Sequence, residues 1–504
     1  MVSRPWFVVA FALVATILGA GQLLGQGLNG SSTPPPPLTH EGYSSPPSPQ
    51  PPDDPSPNPY TPSSNPYTDT PSSRSGSDNS GPPGYPPPMT GSPPGYGPPP
   101  GYAPPPGYGP PPPVYGPPPG FGPVPAYAPP VVGWFPTFSP DPPRFWLRSD
   151  YLVWWTKGAP LPPLVTTGST SDSAPGALGQ PGTSVLYGDG SANLGATSGW
   201  RLDLGGYIDS HETWGLQSVF IILGRQATGF DAYSDNSGNP LITRPVVNAN
   251  DGTETSYADA FPGSLAGGVS ITSTSEFLSW ELNGLRKIFQ TDHWRLEGLA
   301  GFRYMNLTET LEIDDQLYPL ASGALTFLGQ PVDTSSTMFD FDRFKTTNNF
   351  FGGQLGGRLT WNSGPISVES VTKLGFGATE ERTEISGSTA VVTGSGGVSS
   401  APGGVLATTA NIGSYSQSRF SFVPEEDLNL SLAITPYISA RLGYSFLYWT
   451  NVVRPGDQVV RAASPTLVPS DPGYGTGGPN EPGNAFHTTG YWAQGLNIGL
   501  DFHF

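Results

Sequence analysis

The chain has no cysteine among its 504 residues, and only 12% of them are charged. The missing cysteines exclude disulfide frameworks, thiolate metal sites, cysteine nucleophiles and c-type haem attachment. So few charges are unusual for a soluble protein of this size. Basic residues are the scarcer kind: 21 Lys and Arg face 39 Asp and Glu, a net charge of −18. Nucleic acid is therefore excluded as a partner, since phosphate binding needs a basic footprint. Long hydrophobic runs are missing too. The apolar run from Trp6 to Leu18 is shorter than the about 20 residues of a comfortable spanning helix. It follows Arg4 and precedes Gly19-Ala20-Gly21, the order of a signal peptide over residues 1–25. An uncleaved anchor is the other reading. If the protein enters a membrane elsewhere, it does so with strands.

Glycine and proline are plentiful, at 67 and 64 residues. They concentrate in residues 26–143. Asn58–Thr61 and Asn65–Thr68 repeat N-P-Y-T. A near-hexad array follows, built on (G/A)-P-P-P-G-(Y/F): Gly97–Tyr102, Ala103–Tyr108, Gly109–Tyr115 and Gly116–Phe121. Proline removes backbone donors and fixes φ, so helix and ladder are both excluded. The composition predicts a disordered, polyproline-biased tether. It is read either as a plain solvated linker or as a ligand for an envelope partner through its tyrosines.

From Phe145 onward the sequence alternates with period two. The last residues show it best. Leu496, Ile498, Leu500, Phe502 and Phe504 are apolar, and Asn497, Gly499, Asp501 and His503 stand between them. Alone, this segment is either the closing strand of an outer-membrane barrel or an edge strand of a soluble sandwich. Nine earlier segments carry the same period: Phe145–Trp155, Trp200–Ile208, Trp214–Leu223, Ile271–Leu285, Trp294–Tyr304, Phe351–Trp361, Ile366–Ala378, Arg419–Ile434 and Tyr437–Tyr448. The intervals between them alternate short and long. Asp209–Thr213, Phe289–Asp292, Asn362–Pro365 and Thr435-Pro436 are short. Roughly 156–198, 225–270, 306–346, 380–415 and 450–488 are long. Transmembrane barrels have short periplasmic turns and long outer loops; a sandwich has no reason for this pattern. The fold predicted is all-β: a closed antiparallel transmembrane β-barrel over 144–504. It has about ten strands, or eight or twelve if Val219–Leu223 or Leu307–Ile313 is misassigned. Trp155, Trp200, Trp214, Trp294, Trp361, Trp449 and Trp492 fit interfacial girdles.

The polar faces of these strands carry Arg148, Arg201, Arg295, Arg303, Arg358, Lys373 and Arg441. They also carry Asp150, Asp203, Glu281, Glu297, Glu369 and Asp501. In a small barrel these side chains share the interior. The near balance of sign predicts a paired lumen network, because buried charges must be compensated. The chain's acidity then belongs to tether, turns and loops.

Residues from Phe145 to the end resemble a planctomycete-type outer-membrane β-barrel family. The resemblance rests on Phe145–Pro163, on Gly199–Gly206 and on Phe422-Val423-Pro424-Glu425. It is strongest in Gly443–Arg461 (G-Y-S-F-L-Y-W-T-N-V-V-R-P-G-D-Q-V-V-R). It implies a barrel in the bacterial outer membrane, in contact with its lipid; it does not point to a substrate. The alternating terminal residues are similar to the signal read by the barrel-insertion machinery.

Signals for chemistry are weak. Of His40, His211, His293, His487 and His503, only His487 falls near the outer rim, and it has no fixed partner for a hydrolase site. Asp314-Asp315 and Glu380-Glu381 are placed on outer loops but lack the spacing of a calcium loop. No catalytic, cofactor or metal residues are assigned. Arg454-Pro455-Gly456-Asp457 reads as a turn, with Asp457 expected to fold back onto an interior arginine. The functions carried forward are a structural or surface barrel, or a narrow porin-like pore, with long acidic outer loops. The alternatives are an adhesin-like barrel whose tether engages an envelope partner and, remotely, an outer-membrane hydrolase.

Overall fold

The computed structural model describes residues 144–504 apart from Asn193, Asn484 and Ala485. The signal-peptide and tether readings, and His40, lie outside the described residues. Ten long strands form one closed antiparallel ring. In chain order they are β1 (Phe145–Thr156), β2 (Ala196–Tyr207), β3 (Trp214–Tyr233), β4 (Leu265–Gln290) and β5 (Trp294–Pro319). The second half is β6 (Thr337–Ser363), β7 (Ile366–Val392), β8 (Gly413–Thr435), β9 (Ile438–Val453) and β10 (Thr488–His503). The count is ten: Val219–Leu223 belongs to β3 and Leu307–Ile313 to β5.

The ring closes where β10 pairs with β1, in register from Trp146 opposite His503 to Thr156 opposite Ala493. Phe504 fastens the seam. Its carbonyl accepts from the Arg144 N–H at 2.8 Å, and its own N–H donates to Phe145 O at 2.9 Å. Closure leaves no edge of unpaired backbone, the condition for strands to cross hydrocarbon. Four short turns, at 208–213, 291–293, 364–365 and 436–437, occupy one end with residues 144 and 504. Gly364 serves the two-residue turn with φ +58°, a conformation cheap only for glycine. Five long loops occupy the other end.

Period two sorts every strand. In β1, Trp146, Asp150, Leu152 and Trp154 face inward and are buried, while Phe145, Tyr151 and Trp155 face outward and are exposed. The outward face is apolar over a band whose upper limit is one hydrogen-bonded row, Tyr304, Phe351, Ala378 and Phe420. Beyond it the row becomes Asn306, Asn349, Glu380 and Ser418.

The strands run far past that limit, which corrects the loop limits drawn from sequence. β4 to β7 contain 26 or 27 residues each, against about 9–11 needed to cross a bilayer. Above the band both faces are largely polar or mixed, so apolarity no longer marks the strand. The loops shrink to 157–195, 234–264, 320–336, 393–412 and 454–487. Asp314-Asp315 and Glu380-Glu381 lie within β5 and β7, not on loops. Each pair is split by the pleat, with Asp315 and Glu381 turned inward and their neighbours outward. One girdle assignment is also corrected. Tyr448 takes the outward position, so Trp449 points into the lumen and is fully buried.

Candidate functional site

Strand β5 passes every layer of the interior, since its odd-numbered side chains all point inward: Glu297, Arg303, Met305, Leu307, Glu309, Leu311, Ile313 and Asp315. Nearest the turns is a charged vestibule around a cavity of about 380 Å³. Arg148 pairs with Asp501 at 2.9 Å, Glu369 at 3.2 Å and Asp203 at 3.5 Å. Arg358 bridges Glu297 and Glu369 at 3.4 and 3.5 Å. Arg441 reaches Glu369 at 3.4 Å and Asp150 at 3.9 Å. Arg295 holds Glu297 at 2.9 Å together with Glu212 from the first short turn.

The next layer is drier. Arg303, wholly buried, pairs with Glu281 and Glu425. The Lys373 ammonium lies 2.6 Å from Glu425, 3.0 Å from Glu281 and 3.6 Å from Asp427. Arg201 grips Asp427 through two hydrogen bonds of 2.9 and 3.0 Å, the bidentate form that makes arginine–carboxylate pairs strong. All twelve polar-face residues from Arg148 to Arg441 proposed from sequence enter these two layers, as does Asp501.

Glu425 and Asp427 were absent from that proposal. The alternation set for β8 began at Leu428, and carrying it back through Asp427 and Glu425 would have found both. They turn the expected slight cationic excess of the lumen into a slight anionic one.

Above the charges the lumen becomes apolar. Leu152, Trp154, Val219, Ile221, Phe277, Met305, Leu307, Phe350, Val423, Leu447, Trp449, Tyr491 and Ala493 form one buried cluster spanning the ring. Phe350 and Trp449 meet edge to face, with ring centroids 6.1 Å apart. The indoles are satisfied at their polar corners: Trp449 Nε1 donates to Thr379 Oγ1 at 2.9 Å, and Trp154 Nε1 to Asn497 Oδ1 at 2.8 Å. Such close-packed interiors hold few voids of water size.

Loops complete the closure. Arg454, at the start of the last loop, is buried and pairs with Glu309 of β5, and its Nη2 donates to Lys157 O at 3.0 Å. This corrects the reading of the R-P-G-D turn. The inward residue is Arg454, whose guanidinium pairs with Glu309; Asp457, in the 3-10 turn Gly456–Gln458, feels the charge of that arginine but is not its ion-pair partner. Higher still, the hairpin of Ile242–Asn248 and Glu254–Ala260 packs with Leu164, Val405, Leu406 and Val468 against Ile271, Leu311, Phe344 and Ile385. Arg244 of that hairpin lies 2.8 Å from both Asp315 and Asp342. Asp259 and Asp340 share the cluster, and Asp340 is also held by Thr389. These acids stand above the membrane band. Burial, followed by the neighbouring carboxylates, pushes Asp340 up to about 7. Burial also raises Asp315 and Asp259 against the opposing pull of Arg244. Glu309, Asp342 and Arg244 were missed from sequence, and Asp315 was weighed only as a loop carboxylate, because all fell in segments assigned to loops.

His487 meets Gln458 only through its backbone, accepting at 2.8 Å through its carbonyl. Among the described residues, no group of three or more His, Asp or Glu could hold a metal ion.

A family model described as "Putative beta barrel porin-7 (BBP7)" matches residues 146–504. No curated protein matches the sequence. Solved structures similar to the chain include an outer membrane protease from Escherichia coli, at 8% identity and TM-score 0.32, over 73% of this chain and 98% of that one. A Pseudomonas putida toluene transporter aligns at 8% identity and TM-score 0.15, over 73% and 91%. At these scores neither alignment carries an argument. The barrel reading rests on the ring itself and on the family match.

Proposed function

The chain belongs to the BBP7 family of beta-barrel porins, and from that premise we propose that it is a closed barrel of the bacterial outer membrane, structural and surface-presenting rather than conducting. The single observation that carries this is the apolar layer through Trp154, Phe350 and Trp449, which spans the lumen between two charged layers. An ion crossing it would shed its hydration against hydrocarbon, at a cost of many kcal/mol. The acidic outer loops and extended upper strands then act as the surface offered outside. The interior hydroxyls that donate to carboxylates, Ser445 to Asp427 and Thr389 to Asp340, are buried among the described residues, which favours a non-enzymatic reading.

The test is planar-bilayer recording of the purified full-length protein. No conductance steps are expected across many verified insertions. Regular openings in the unmodified protein would overturn the proposal. A gated narrow pore is the second reading. It is favoured by one feature: above the apolar layer, the lumen is shut by loop residues anchored through Arg454 and Glu309, which could leave without breaking the ring.

A further inference from the structure

The outer face of a transmembrane barrel tolerates acidic and basic side chains poorly at mid-depth. Within the apolar band, the described residues place one there: Glu426 of β8. It stands midway between Phe420 and Ile434, with Leu428 and Phe422 exposed on either side. Ser370 Oγ donates to it at 2.7 Å, and Thr372 Oγ1 donates to its other oxygen. No cation faces it. The nearest outward arginine by register, Arg286, belongs to the turn end and lies over the Trp214 ring, 5.0 Å away. Beside Glu426 the wall is unusually smooth. One paired row reads Arg286, Gly298, Gly357, Thr372, Glu426, and a side chain added at either glycine would meet its nearest neighbour only at ordinary contact distance, Ile288 at 3.4 Å or Glu297 O at 3.7 Å.

We propose that this strip is a self-association face, on which a second copy of the chain packs so that the two Glu426 carboxyls meet in the membrane. Depth is the reason for choosing a second copy. A two-fold axis along the membrane normal keeps every residue at its own level, so the partner brings its own Glu426, Ser370 and Thr372 to the same plane. A carboxyl kept protonated by the surrounding hydrocarbon, like a hydroxyl, both donates and accepts, so the group is self-complementary. Another protein would need a matching polar group at that depth by coincidence. Small residues beside polar ones let walls approach closely enough for such bonds, as at membrane helix interfaces. Ionisable residues held in a membrane characteristically pair with one another.

The absence of cysteine makes the test clean. Full-length single-cysteine variants Leu428→Cys and Leu374→Cys, beside the strip, are compared in lipid vesicles with Ile222→Cys on the opposite wall. Oxidation is expected to give disulfide-linked dimers of the first two and little of the third. In sedimentation measurements, Glu426→Leu should raise the dimer dissociation constant about tenfold, the scale of one or two membrane hydrogen bonds. Glu426→Gln, which still donates and accepts, should keep the dimer. Heat-modifiable gel mobility verifies that each variant is a folded barrel. A monomeric unmodified protein, equal cross-linking at Ile222→Cys, cross-linking to a different protein alone, or a dimer unmoved by Glu426→Leu would each overturn the proposal.

Discussion

Replacing Arg303 by methionine tests the physical basis of the lumen. The side chain is fully buried and joins Glu281 and Glu425, both themselves buried. Methionine fills much of the volume but leaves two carboxylates with Lys373 as their remaining cation, at 3.0 and 2.6 Å. Removing one partner of a buried ion pair costs about 3–5 kcal/mol, because the other charge stays desolvated. Lys373 still offsets part of that charge, so about 3 kcal/mol is expected. The assay is urea unfolding of the full-length protein refolded into vesicles, followed by tryptophan fluorescence and gel mobility. The double variant Arg303→Met/Glu281→Gln removes charge from both sides, and should recover about 1–2 kcal/mol relative to the sum of the single changes, a coupling typical of contacting residues. A loss under about 1 kcal/mol for Arg303→Met, or strict additivity in the double variant, would refute the claim that these charges act as one compensated network.

Trp449→Ala deletes one of the two largest side chains of the apolar closure, the other being Trp154. It should cost about 3–5 kcal/mol and, combined with Phe350→Ala, produce conductance steps absent from the parent in planar bilayers. Arg454→Ala should destabilise the last loop by about 3 kcal/mol, since it strands the buried Glu309, whereas Asp457→Ala should change stability by under about 1 kcal/mol; hydrogen exchange of residues 454–470 checks both. The acid cluster over Arg244 gives a pH dependence. Asp340 and Asp315 are raised in the folded state, so the closed mouth favours their protonated forms. Its stabilisation is full below about pH 4 and is lost as pH rises through about 7. Exchange protection of Ile242–Asn248 should therefore fall from about pH 4 to about pH 7 and level off above that, and protection that rises over that range would contradict the assignment. Deleting Phe502 to Phe504 removes the rungs against Leu147 and Trp146, and should abolish heat-modifiable mobility while export continues.

The lower half of the barrel was legible in the sequence because two independent periods agree there. Side chains alternate every residue, and connections alternate every strand. Both follow from a wall with lipid on one side and a filled lumen on the other, so Tyr151 against Asp150, or Leu442 against Arg441, declares the wall directly. The upper half was not legible. Once the outer face meets water, Thr308, Thr310 and Glu312 face outward while Leu307, Glu309 and Leu311 face inward, and such mixed strands look like loop. Trp449 was misplaced for a related reason: an aromatic at a strand end is equally compatible with girdle and lumen until parity is fixed by its neighbours.

What the sequence determined by itself was the kind of object: strands in place of helices, about ten of them, in a closed wall with compensating charges on the hidden face. What only the tertiary structure decided was how that hidden face is filled. Ion pairs such as Arg303 with Glu281 and Glu425, or Arg454 with Glu309, join strands and loops far apart in the chain. Their partners follow from strand register, tilt and loop packing, none of which a local period encodes. The closure of the lumen is of the same kind. Each residue of the apolar layer is an ordinary inward position on its own strand, and only the ring brings them to one level.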